Sequence, residues 1–117
     1  MKRDMDLVRK ILLKAIAEQH GYTNGNPSIE GVSDEQVGYH VWLMEQAGLV
    51  HAIIPGGLTS ESPYAILVSP TWNGHDFADA AVDNKIWKKA MRTVLKEGKS
   101  FTFSYLKHWL ESQIPPM

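Results

Sequence analysis

The chain has 117 residues, 44% hydrophobic and 21% charged, with a net charge of −1. That is the composition of one ordinary globular domain, and it excludes collagen-like, low-complexity and disordered classes. Cysteine is absent, which removes disulfide scaffolds, thiolate metal sites and cysteine nucleophiles together and leaves a reducing cytoplasm as the expected compartment.

No apolar run approaches the roughly 18 residues of a membrane-spanning helix. The charged start Met1-Lys2-Arg3-Asp4 lacks the uninterrupted apolar core of a signal peptide. The charge is unevenly spread. Residues 1–14 carry net +3, residues 15–84 carry nine acids and neither Lys nor Arg, and residues 85–117 carry net +5. Such asymmetry bears on partners rather than on fold.

In chain order, residues 4–19 read as a helix with Met5, Val8, Leu12 and Ala15 on one stripe, and Arg9, Lys10 and Lys14 mostly away from it. Gly21 and Asn24-Gly25-Asn26-Pro27 are turn chemistry, and residues 28–32 read as a small strand. Ser33-Asp34-Glu35-Gln36 fits a capping box and opens a second helix that Gly48 stops. At 100° per residue Val37, His40, Val41, Leu43, Met44 and Ala47 share one face of it. Glu35, Gly38, Tyr39, Trp42, Glu45 and Gln46 share the other. Residues 49–54 and 64–68 are β-rich runs that pair as a hairpin. Three helices follow, over residues 71–82 with Phe77 and Ala81 inward, 85–97, and 102–113. The expected core joins Val8, Leu12, Val41, Met44, Leu49 and Ile66.

Residues 41–50 resemble the "LxxAGLV" close of a winged-helix recognition helix, and residues 71–77 resemble the "LTxxGHxF" opening of the helix after the wing. Three segments narrow the match: residues 1–13, residues 39–50 against "YHxxLLxxAGLI", and residues 71–87 against "TWxGHxFxDxxxDxxxW". Together they resemble a domain-of-unknown-function family found in bacteria, phages and prophages. The resemblance implies a winged-helix-like fold and no known activity. The expected architecture is therefore α+β: a single winged helix-turn-helix-like domain over residues 1–117, with a helix, helix and β-hairpin wing core in 1–70 and a helical extension in 71–117. Its middle helix is abbreviated, since turns and a short strand occupy the space before Ser33.

DNA binding is the stock function of that fold. Here the recognition helix and wing carry no Lys or Arg, and a carboxylate-bearing helix is repelled by duplex phosphates. Lys85, Lys88, Lys89, Arg92 and Lys96 fall within about a 100° arc of one helix. They read either as a phosphate-tracking stripe without sequence readout or as a solvated helix face. Tyr39 and Trp42, flanked by Glu35, Glu45 and Gln46, are the residue types of an interaction hot spot, and Gly38 beside them gives a partner room to approach. The alternative is packing against the chain's own C-terminal helices.

His20, His40, His51, His75 and His108 are scattered, with no HExxH pattern, and His40 reads as a core histidine. Asp76, Asp79 and Asp83 share a helix face and read as a solvated acidic surface ahead of a weak cation site. No nucleophile elbow, phosphate loop or dinucleotide motif is present. The sequence therefore points to a non-enzymatic module, without cofactor, of phage or mobile-element type, working by protein–protein interaction or self-association. A small DNA-binding regulator is the alternative, and an inhibitor of a host protein a further one.

Overall fold

The structure is a computed structural model that describes residues 1–56, 61–96 and 102–114, the side chains of residues 94–96 excepted. It is an α+β arrangement whose described residues form five helices and one two-stranded antiparallel sheet. The chain divides into two compact units, residues 1–75 and 76–117.

In the first unit, α1 (Met5–Ile16) starts where the Asp4 carboxylate accepts from the backbone N–H groups of Asp6 (3.0 Å) and Leu7 (3.3 Å). Met5, Leu7, Val8, Ile11, Leu12 and Ala15 are buried along it. Arg9 is buried as well, against expectation. It lies four residues after Met5 and so on the same side of the helix.

Residues 17–33 contain neither helix nor strand, so the strand expected over 28–32 does not form. The segment spends its polar groups elsewhere. The Thr23 N–H bonds the Val68 carbonyl at 2.9 Å. The Asn26 side-chain amide donates to the Ala65 carbonyl (2.9 Å) and accepts from the Leu67 N–H (2.8 Å). One side chain thus does the pairing of a neighbouring strand.

The capping box forms as read: the Ser33 hydroxyl accepts from the Gln36 N–H, and the Gln36 side chain accepts from the Ser33 N–H. It opens α2 (Asp34–Gln46), which buries Val37, Gly38, His40, Val41 and Met44. Gly48, at φ +74°, turns the chain into the sheet. β1 (Val50–Ile53) pairs with β2 (Ile66–Pro70), with a register irregularity between His51 and Ala52.

Five of the six expected core residues, Val8, Leu12, Val41, Met44 and Leu49, are buried, and Ile66 is not. Ile66 stands opposite Ile53 on the outward face, and the neighbouring Ala65 and Leu67 point inward. Successive strand residues alternate sides, and an all-apolar run gives no clue to which parity faces the core.

The second unit is helical. α3 (Trp72–Ala81), inside which the division between units falls, is followed by α4 (Asn84–Lys96) and α5 (Phe103–Ser112). The Asp83 carboxylate caps α4 by accepting from the N–H groups of Lys85 (2.8 Å) and Ile86 (3.0 Å). The Phe77 ring meets Trp87 edge-on at 6.2 Å and lies 5.0 Å from the Phe103 ring, and Ala90, Leu106 and Leu110 of the same unit are buried. No described helix is long and apolar enough to cross a membrane.

Candidate functional site

Much of what is chemically distinctive in the sequence holds the chain together. His40 is buried and spans two helices: Nε2 accepts from the Asp4 N–H at 2.9 Å, and Nδ1 donates to the Gln36 carbonyl at 2.7 Å. Thr71 and Gly74 lie against the turn between α2 and β1. The Thr71 N–H bonds the Leu49 carbonyl (3.0 Å), its hydroxyl donates to the Gly48 carbonyl (2.5 Å), and the Gly74 N–H donates to that hydroxyl (3.0 Å). A side chain at Gly74 would run into the Leu49 carbonyl oxygen. The segment around Gly48 and the segment around Gly74 therefore meet in space. With Asp83 capping α4 and Phe77 edge-on to Trp87, these residues have structural roles.

The outer face of α2 is different. Glu35 and Gln46 are exposed, and Tyr39, Trp42 and Glu45 are half-buried. The Tyr39 and Trp42 rings lie 5.8 Å apart with a 32° tilt, and Tyr39 meets His40 edge-on at 5.7 Å. Gly38 does not open this face to a partner. It is buried beside Tyr64, and its carbonyl accepts from the Ala65 N–H at 3.2 Å. The missing side chain at Gly38 serves the chain's own return strand.

At the first turn of α2 lies a pocket of about 430 Å³, lined by Asp34, Glu35, Glu61, Tyr64 and Asn26 among others. The Ser62 hydroxyl donates to Glu35 at its rim at 2.5 Å. Three carboxylates with no cation among the lining residues make it receptive to positive charge.

Trp72, outside the candidate residues named from the sequence, is 84% exposed. The available signal is helix phase: Trp72 lies about 140° around α3 from the buried Phe77. On α4, Lys85, Lys88, Lys89 and Arg92 are exposed, and the Lys96 side chain lies outside the described residues. Asp76 and Asp79 are exposed on α3 and Asp83 is occupied in its cap. Among the described residues no group of three or more His, Asp or Glu is placed to hold a metal ion.

A relative from Haemophilus influenzae, described as an uncharacterized protein, is 30% identical over the whole of this chain and 98% of its own length. No solved structure matches. A family model described as "Hypothetical protein (DUF2513)" matches residues 2–100, and the chain belongs to that family.

Proposed function

We propose that this chain is a non-enzymatic, winged-helix-like binding module that works by protein–protein contact, self-association included, through the α2 face formed by Glu35, Tyr39, Trp42, Glu45 and Gln46. The order of α2, a tight turn and an antiparallel hairpin supports the winged-helix reading. The observation that carries the interaction reading is the half-buried Tyr39–Trp42 ring pair, in tilted contact at 5.8 Å, on a helix bordered by carboxylates. Tyrosine and tryptophan dominate interaction hot spots. Residues 15–84 supply no Lys or Arg to neutralise phosphate, so a duplex is a poor partner for this face. The acidic pocket at the start of α2 favours a partner that brings basic side chains.

Trp42→Ala tests the reading. Association measured by sedimentation velocity should weaken by about 2 kcal/mol or more, roughly thirtyfold, while melting stays cooperative. A lower melting temperature with unchanged association would assign Trp42 to the chain's own core. Sequence-specific duplex binding lost on changing Glu35 or Gln46 would replace the reading with that of a DNA-binding regulator.

A further inference from the structure

We infer that α4 is a docking face for the phosphodiester backbone of duplex nucleic acid, recognised without sequence readout and independently of the α2 face. Lys85, Lys88, Lys89 and Arg92 are all exposed, and none makes an ion pair among the described residues. They lie within about a 100° arc, with Lys96 continuing the row at the helix end. From residue 85 to residue 96 the row extends about 16 Å, at 1.5 Å per residue.

An ordinary solvated helix interleaves acids with bases so that residues three and four apart attract. α4 has no Asp or Glu in its thirteen residues. It places Lys85 against Lys89, Lys88 against Arg92, and Lys89 against Arg92, all like-charged neighbours. Each such pair opposes the helix, and a polyanion laid along the row relieves all of them together. Duplex nucleic acid offers one negative charge per about 1.7 Å, a density that scattered carboxylates on a protein do not match.

The other polyanionic surface, an anionic membrane, is disfavoured by the opposite side of the helix. A surface-lying amphipathic helix must place its apolar face in the lipid. In α4 that face is already used: Trp87 and Ala90 are buried, with Trp87 edge-on to Phe77. What α4 presents outward is charge without an apolar anchor, and Lys and Arg contacts to phosphate oxygens position a duplex without carrying sequence information.

Fluorescence anisotropy with labelled duplexes of about 20 base pairs and unrelated sequences tests this in the full chain. The duplexes should bind alike. Affinity should fall on the order of a hundredfold between roughly 50 and 200 mM salt, as expected for about four phosphates neutralised. Lys88→Gln, Lys89→Gln and Arg92→Gln combined should weaken binding at least about tenfold and flatten the salt dependence to about two phosphates or fewer, since only Lys85 and Lys96 remain of the row. Their melting temperature should be unchanged or higher, because like-charge pairs are removed. Lys88→Arg with Lys89→Arg should keep wild-type affinity. The proposal is overturned by no binding at low salt, by a salt-insensitive or strongly sequence-selective complex, or by a folded triple variant that binds as wild type. Tighter binding to phosphatidylserine vesicles or to polyglutamate of equal charge overturns it too.

Discussion

The imidazole of His40 ties the second helix to the residue that starts the first: Nε2 accepts the Asp4 backbone N–H at 2.9 Å while Nδ1 donates to Gln36. Both ring nitrogens are used, so the proton sits on Nδ1 and a substitution must replace an acceptor as well as volume. His40→Leu leaves the Asp4 N–H without its partner. It should cost about 1–3 kcal/mol in urea denaturation, with faster amide exchange at Leu7 and Val8. An unchanged denaturation midpoint would mean that Asp4 finds water instead.

Gly74 and Gly56 form a matched pair of tests. Gly74→Ala drives a methyl group into the Leu49 carbonyl, so the start of α3 must move off the α2–β1 turn. A loss of about 1–3 kcal/mol is expected, as for other overpacked sites. At Gly56 no described atom lies within 4 Å of where a methyl group would stand, and Gly56→Ala should stay within about 0.5 kcal/mol. Equal effects at the two positions would contradict the close approach.

Strand phase gives a third test. Leu67→Ala and Met44→Ala remove fully buried side chains and should each cost about 2–5 kcal/mol. Ile66→Ala should cost well under half of that. Comparable losses at Ile66 and Leu67 in chemical denaturation would mean the opposite face of β2 packs inward.

Asn26 gives the fourth. Its amide holds both the Ala65 carbonyl and the Leu67 N–H. Asn26→Ala should destabilise by about 1–3 kcal/mol and uncover a strand edge, read as increased light scattering on heating. Asn26→Asp keeps an acceptor for Leu67 but turns a carboxylate oxygen toward the Ala65 carbonyl, so it should be no better than alanine. Full stability in Asn26→Asp would rule out the donated bond.

Local chemistry made the helices readable. The Ser33–Gln36 capping box, the Gly48 stop and the spacing of Val37, Val41 and Met44 each determine structure within a few residues, and α2 appears with those features. What the sequence hid depends on contacts between distant residues. Nothing near Asn26 announces that its side chain will pair with residues 65 and 67. Gly38 reads equally well as an opening for a partner and as a seat for Tyr64. The exposure of Ile66 follows from a register that only β1 settles. The site was legible as residue types on one face of α2, but the tilted contact of Tyr39 with Trp42 and the acidic pocket at the first turn of α2 emerge only in three dimensions.

The cation-free stretch from Ala15 to Asn84, which contains α2, both strands and all of α3, governs which reagents can see this molecule. Trypsin has no target between Lys14 and Lys85, so it releases the whole acidic region as one long peptide whether or not a partner covers it. Amine-directed cross-linkers and lysine acetylation reach α1 and the helices after residue 84 and are blind to the Tyr39–Trp42 face. Mapping an interface on α2 therefore calls for carboxylate-directed coupling or cleavage beside aromatic residues. Because the chain has no native cysteine, a thiol introduced at Gln46 would be the single attachment point for a probe on that face.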